Sequence, residues 1–126
     1  MWTRELSTVL DEFCAAMATQ DAQRLRAVFT EHDVSLVAAN PIHVQEQTGL
    51  EHFIDGYCAQ PTSYSFEWDR RQESVVGDVG WLMALGRETT HGPRGDHSHP
   101  FRMSLVCVRG ADGWRIAQLH ASQPTS

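Results

Sequence analysis

The polar side chains near the end of the chain have types and spacing suited to binding a small molecule. Successive side chains of a β-strand alternate between its two faces. On one face of a predicted last strand we therefore expect Trp114, Ile116, Gln118, His120 and Ser122. Arg102 is expected beside them on the preceding strand. If the polar groups face a cavity, they would bind a small polar molecule; if the strand leaves the sheet at its end, they meet water.

Two histidines are candidate general bases. A histidine can take and return a proton near neutral pH, which suits enolisation or the elimination of water. His120, if it points into an apolar cavity, and His43, with Glu46 close by in sequence, are the candidate catalytic residues. The alternative role of an inward histidine is a structural hydrogen bond, and the sequence leaves both roles open.

Arg102 points to an anion. Burying a guanidinium costs roughly several kcal/mol of desolvation free energy unless it pairs with an anion such as a bidentate carboxylate. That carboxylate is either internal, from Glu46, Glu67 or Glu88, or belongs to a ligand. We expect a pocket whose floor binds an anion through Arg102, His120 and Arg87. Its aromatic wall is expected to consist of Trp68, Trp81 and Tyr57.

A histidine cluster in the second half of the chain suggests a metal site, and the pattern argues against one. His97 and His99 would share a face if extended, and His91 and Asp96 lie close in sequence. The segment from His91 to Asp96 reads as a glycine-rich loop that fixes no third ligand. We therefore predict a solvated hairpin tip, and neither a metal nor a cofactor.

Composition limits the class of protein. The 126 residues predict one domain spanning 1–126, and the net charge of −6 argues against nucleic-acid binding. The chain has ten arginines and no lysine, which excludes a lysine Schiff base. Cys14, Cys58 and Cys107 read as reduced core residues, typical of a cytoplasmic protein. No signal peptide or membrane-spanning run is recognisable, so no membrane partner is expected.

The periodicity predicts three helices and then a meander of strands. The first half of the chain is expected to contain a helix over Leu6–Met17, a helix from Asp21 to about His32, and a strand over Val34–Ala39 that ends at Asn40-Pro41. A short strand near Val44 and a helix from Thr48 to before Pro61 are expected next. Long strands should then begin near Tyr64, Trp81, Phe101 and Trp114. Helices placed before a meander indicate an α+β fold, a curved sheet with helices on its concave face.

These features resemble the SnoaL-like branch of the nuclear transport factor 2-like superfamily. The resemblance is carried in order by Gln20–Leu25 leading to Phe29, by Asn40-Pro41, by Thr48-Gly49 before Phe53 and Tyr57, and by Asp112–Ile116 with His120-Ala121-Ser122. It implies a cone-shaped, cystatin-like α+β fold with three helices on a curved, mixed or antiparallel sheet. The ending is most similar to the association domain of calcium/calmodulin-dependent kinase, and that branch implies that Arg102 lines a pocket for small carboxylates.

The resemblance also argues against one reaction of the superfamily. Asn40 stands where ketosteroid isomerase has its proton-shuttling aspartate, and Phe13 stands where that enzyme has a tyrosine donor. An amide cannot accept the proton and a phenyl ring donates none. Steroid isomerisation by that mechanism is therefore not expected, and Asn40 remains a candidate ligand-binding residue.

Three classes of function stay open. The first is a small-molecule-binding protein whose ligand is a small organic molecule with a carboxylate, and the second is a lyase or isomerase of the polyketide cyclase or dehydratase type. The third is an oligomeric assembly module, because an apolar band on the helix-free face of the sheet is expected to be buried against another protein chain. We expect a homodimer through that outer face, with the band formed by Met103, Leu105, Cys107, Ala117, Leu119 and Ala121.

Overall fold

The computed structural model describes residues 5–31, 34–37, 43–44 and 47–124, with only the backbone of residues 43, 44, 47 and 48. In chain order the elements are α1 (Leu6–Thr19), α2 (Ala22–Ala27), β1 (Ser35–Val37), β2 (His43–Val44), α3 (Gln47–Ala59), β3 (Ser63–Val76), β4 (Val79–Gly92), β5 (Gly95–Gly110) and β6 (Gly113–Ser122). This is the predicted α+β order, with the helices preceding a meander of long strands.

The first two helices meet at a specific corner. α1 buries the predicted apolar stripe, including Leu10 and Phe13. It ends at Gln20, which has a left-handed φ of 51°. The Gln20 side-chain amide then lies within 3.3 Å of the carbonyl oxygens of Tyr57, Gln60 and Thr62, where α3 ends. Gln20 thereby joins the end of α1 to the end of α3.

The second helix is shorter than the sequence predicts. Asp21 caps α2 as expected, because its carboxylate accepts a hydrogen bond from the Arg24 backbone N–H. The helix ends at Ala27, since the next residues pair with β6: the Ile116 N–H donates to the Val28 carbonyl and the Thr30 N–H to the Ile116 carbonyl. His32 and Asp33, where we expected the helix to end, lie outside the described residues.

The described residues form a sheet of six strands in the order β2-β1-β6-β5-β4-β3. The strands from β3 to β6 are antiparallel neighbours, whereas β1 runs parallel to β6, so the sheet is mixed. The loop predicted from His91 to Asp96 is a two-residue turn instead. His91 pairs with Asp96 in register and Gly95 takes a φ of 105°, which a residue with a side chain rarely adopts.

Two bulges interrupt the alternation of side chains. In β3 the pairing with β4 shifts between Trp68 and Arg70, which leaves Asp69 as the extra residue. In β6 the pairing with β5 shifts so that Val106 faces Gln118 while Cys107 faces Ile116, and Ala117 is the extra residue. A single extra residue reverses which face the following side chains occupy.

The helices cover one face of the sheet, here called the inner face, and the opposite one is the outer face. The inner face holds the buried side chains of the strands, among them Leu82, Ala84, Phe101, Met103, Leu105, Cys107, Leu119 and Ala121. Our prediction that the band from Met103 to Ala121 lies on the outer face is therefore wrong for its buried members. The exposed apolar side chains of β4 take that place, with Trp81 at 45%, Met83 at 40% and Leu85 at 37% exposure.

Candidate functional site

Glu88 is the one charged residue buried in the inner face among the described residues, with 8% of its surface exposed. It lies on β4 directly opposite His99 of β5. Glu88 Oε1 and His99 Nε2 are 2.8 Å apart, and the His99 side chain is 27% exposed. Burial raises the pKa of the Glu88 carboxyl above its usual range, and the hydrogen bond and charge of His99 oppose this rise. The two side chains form an acid–base pair within hydrogen-bond distance.

His99 has a second partner at the same ring nitrogen. The side-chain amide of Gln123 lies 2.6 Å from His99 Nε2, just beyond the end of β6. The imidazole edge also meets the Phe101 ring at a centroid distance of 6.1 Å in a T-shaped arrangement. These contacts hold the ring in one orientation while part of it stays accessible.

Aromatic side chains surround the pair on the inner face. Phe66 of β3 is directly opposite Glu88 and lies 5.7 Å from Phe101 between ring centroids. Phe66 also stacks on Trp68 at 5.6 Å. Gly86 makes this arrangement possible, because a Cβ there would stand 1.9 Å from the Glu67 carbonyl oxygen. The side chains around the acid–base pair are therefore mainly aromatic and apolar.

Tyr57, a predicted wall residue, has a structural role. Its hydroxyl donates to the Met17 carbonyl at 2.7 Å and accepts from the Tyr64 N–H at 2.8 Å. Burial raises the pKa of Tyr57 to about 12. A hydroxyl that is fully hydrogen-bonded and reluctant to ionise is a poor proton donor to a ligand.

Arg102 and His120 come together as predicted, but on the outer face. The predicted face assumed unbroken alternation along β6, and the extra residue Ala117 breaks it. Trp114 and Ile116 are buried as a result, whereas His120 is exposed. The expectation that Arg102 and His120 lie on the helix-covered side is therefore wrong.

A shallow hollow of about 210 Å³ lies around these residues on the outer face. Its lining is formed by Met83, Leu85, Arg102, Met103, Ser104, His120 and Ser122. Arg102 Nε donates to Ser122 Oγ at 2.9 Å. Within the described part of the chain no carboxylate pairs with Arg102, so neither Glu67 nor Glu88 is its partner.

The remaining predicted site residues are divided between the two faces. Trp81 and Arg87 are exposed on the outer face, where Arg87 Nε donates to Ser98 Oγ at 3.1 Å. Trp68 and Tyr57 lie on the inner side, so they do not form one wall with Trp81. Asn40 and Glu46 lie outside the described residues, and of His43 only the backbone pairing with Val37 is described.

From sequence alone, Glu88 is a candidate only as a partner for Arg102, and His99 only as part of a metal cluster. A usable signal was present, because Leu82, Ala84, Gly86 and Glu88 occupy alternate positions of one strand. That places a carboxylate on an otherwise apolar face. The histidine cluster separates in the same way: His99 faces inward, whereas His91 bonds Asp96 at 3.1 Å on the outer face. Among the described residues no three such groups converge as metal ligands.

All three cysteines are free, but only Cys107 is a buried core residue, whereas Cys14 and Cys58 are half-buried against the core. Burial raises the pKa of Cys14 and of Cys107 to about 12. Among the described helices, none combines the length and apolar character needed to cross a membrane.

A sequence profile of the SnoaL-like domain matches residues 6–126. No curated protein matches the chain. Among solved structures, the fold is similar to a proposed dehydratase of the NTF2-like family from Streptomyces avermitilis, with a TM-score of 0.87, 19% identity, and coverage of 96% of this chain and 94% of the other.

Two further structures share the fold. A proposed scytalone dehydratase from Novosphingobium aromaticivorans has a TM-score of 0.82 and 10% identity, and the alignment covers 95% of this chain and 82% of the dehydratase chain. A proposed calcium/calmodulin-dependent protein kinase II association domain from Xanthomonas campestris has a TM-score of 0.80 and 14% identity, with 96% and 86% covered. At these identities the similarity shows the fold alone.

Proposed function

The chain belongs to the SnoaL-like domain family of the nuclear transport factor 2-like superfamily, and from that premise we propose that it is a small-molecule lyase or isomerase that moves a proton through Glu88 and His99. The observation that carries the proposal is the contact of 2.8 Å between these two side chains on the inner face. A buried carboxylate is costly unless it is paired, and a titratable pair in an apolar site is typical of acid–base catalysis.

The pair has the properties that proton transfer needs. The raised pKa of Glu88 brings its carboxyl closer to neutrality, where a group exchanges protons most effectively. Glu88 Oε2 makes no hydrogen bond to any described residue, so it is available to a substrate. One member of the pair takes a proton from carbon, and the other returns a proton to carbon or to a leaving hydroxyl.

The surroundings favour a flat, apolar substrate. Phe66, Trp68 and Phe101 offer ring faces beside the carboxyl. Aromatic side chains pack well against planar ligands. Two solved structures with this fold are themselves proposed dehydratases, which supports the reaction class. The base differs from the His120 or His43 that we expected from sequence.

The exchange of carbon-bound hydrogen tests the proposal without a known substrate. A panel of cyclic and aromatic ketones is incubated with the protein in D₂O, and deuterium incorporation at the carbon next to the carbonyl is followed by NMR. We expect exchange with wild type and at least about a hundredfold loss in Glu88→Gln and His99→Gln, the lower end of what a general base contributes.

His97→Gln is the matched control, because His97 lies two residues from His99 on the same strand and makes no hydrogen bond within the described residues. Its exchange rate should equal that of wild type. Exchange that survives in Glu88→Gln, or that is absent from wild type across the panel, would overturn the proposal.

A second candidate function is the binding of a small carboxylate at Arg102, the ligand class that we expected from sequence. The observation that favours it is a guanidinium whose Nε is held by Ser122, beside His120 and Ser104 in a hollow. The two terminal nitrogens of Arg102 would then donate hydrogen bonds to the two oxygens of the carboxylate ligand. Small organic acids should raise the melting temperature of wild type and of Arg24→Ala, which removes an exposed arginine of α2 on the helix side, and should not raise that of Arg102→Ala.

The proposal also includes a homodimer formed through the outer face, with Trp81, Met83 and Leu85 as its apolar centre. Met83 and Leu85 also line the hollow, so pairing of two copies would enclose it. A cytoplasmic location is part of the same proposal, because unpaired cysteines are typical of reducing compartments.

A further inference from the structure

A serine, a histidine and an aspartate are hydrogen-bonded in series at the far end of the outer face. Ser65 Oγ lies 2.7 Å from His91 Nε2. His91 Nδ1 lies 3.1 Å from Asp96 Oδ1 on the other side of the ring. Ser65 belongs to β3, His91 to the end of β4 and Asp96 to the start of β5, so the tight turn after Gly92 brings the last two together.

From this arrangement we infer that Ser65 is an acyl-accepting nucleophile and that the protein hydrolyses small carboxylic esters at this second site. The order of contacts carries the inference. Asp96 accepts a hydrogen bond from Nδ1, which leaves Nε2 without a proton and able to accept that of the Ser65 hydroxyl. A serine hydroxyl becomes nucleophilic only with such a base, and the base acts well only when a third group orients it.

The site is open to an ester from solvent. The His91 and Asp96 side chains are 40% and 63% exposed, and Ser65 is half-buried on the strand beside them. Arg87 projects from the same face, diagonally across from Ser65, since its neighbour Thr89 is the residue paired with Ser65. Arg87 Nε donates to Ser98 Oγ of β5, however, so this guanidinium is held on the side of β4 away from Ser65. The open setting favours small, activated esters over large substrates.

The reaction needs water as its only co-reactant. Ser65 Oγ bonds to the ester carbonyl carbon while its proton passes to His91 Nε2. The intermediate then collapses, breaking the carbon–oxygen bond of the leaving group, which takes the proton from His91. Water next attacks the acyl carbon with His91 taking one of its protons, and that proton returns to Ser65 as the carboxylic acid leaves.

This site is separate from the acid–base pair on the inner face and does not depend on it. It is also separate from the apolar strip of the outer face, because Leu85 and His91 are six residues apart on one strand, about 20 Å at roughly 3.3 Å per residue. Loss of either proposal therefore leaves the other testable.

Untagged protein incubated with p-nitrophenyl acetate provides the test, since a polyhistidine tag would itself attack the ester. We expect a burst of p-nitrophenol and an acetyl group on the peptide that contains Ser65, trapped by acid quenching and located by mass spectrometry. Ser65→Ala should lose the adduct, and His91→Gln should slow its formation at least about a hundredfold, in the range of general-base catalysis. Asp96→Asn should slow it as well.

Ser7→Ala is the control, because Ser7 is an exposed serine of α1, across the sheet from His91, and its hydroxyl forms no hydrogen bond within the described residues. Its burst and adduct should equal those of wild type. Thermal melting confirms that each variant is folded. The absence of an adduct on Ser65 in wild type, or hydrolysis that continues unchanged in Ser65→Ala, would overturn the inference.

Discussion

Glu88 should make the stability of the fold depend on pH in an unusual direction. Most paired carboxylates have a lowered pKa, whereas burial raises the pKa of Glu88 and His99 only opposes that rise. The folded protein therefore holds this proton more tightly than the unfolded chain does. Its contribution to stability is complete below the ordinary pKa of glutamate and is lost as the pH rises through the raised value.

Replacement of the ionisable group isolates this effect. We expect the free energy of unfolding of wild type, relative to that of Glu88→Gln, to fall as the pH rises from about 4 toward neutrality, because glutamine cannot ionise. Urea denaturation at a series of pH values measures it. Gln72→Ala changes an exposed, non-ionisable residue of β3 and should show no comparable trend. A difference between wild type and Glu88→Gln that is constant with pH would contradict the raised pKa.

At the scale of elements, Gly86 sets how closely β3 approaches β4 beside the candidate site. A Cβ at this position would lie 1.9 Å from the Glu67 carbonyl oxygen and 2.8 Å from the Trp68 Cα, both backbone atoms that cannot turn aside. Gly86→Ala should therefore destabilise the protein by at least about 1–3 kcal/mol, the usual cost of overpacking. It should also displace Trp68, which a change in tryptophan fluorescence would report.

Gly56 provides the control for this substitution. It lies inside α3, and a Cβ there would meet nothing within 4 Å. Gly56→Ala should stabilise the protein by about 0.4–1 kcal/mol, because alanine restricts the unfolded chain and fits a helix. If the two variants unfold at the same denaturant concentration, the close approach at Gly86 is not a constraint.

The elements could be predicted from sequence because each has a local cause. The apolar stripe of α1, the Asp21 cap and the glycine turns at Gly77 and Gly113 are all readable from spacing. The site could not be predicted, since it depends on a bulge. Nothing local in β6 announces that Ala117 is the extra residue, and one extra residue exchanges the two faces. His120 therefore lies on the outer face and not on the predicted inner face. The inward-facing carboxylate of Glu88 was not predicted to be part of a site.

At the scale of the whole molecule, the two faces of the sheet have different chemistry. Among the described residues the inner face carries the buried apolar side chains and one buried charge, Glu88, and the helices cover it. The outer face carries an apolar strip in the first half of β4 and hydrogen-bonded polar groups in its second half, from Arg87 to His91. An exposed apolar strip next to polar groups is typical of a surface that pairs with another protein.

The strip formed by Trp81, Met83 and Leu85 should make the protein a dimer in solution. These side chains alternate along one strand and each is more than a third exposed. Sedimentation at micromolar concentration should give twice the chain mass for wild type and a single chain mass for Met83→Glu, because a buried unpaired charge opposes association. Val75→Glu is the control: Val75 is 49% exposed but pairs with Gly80, which places it on the opposite face. It should remain a dimer, and a wild-type protein that sediments as a monomer at this concentration would show that the strip does not pair two copies.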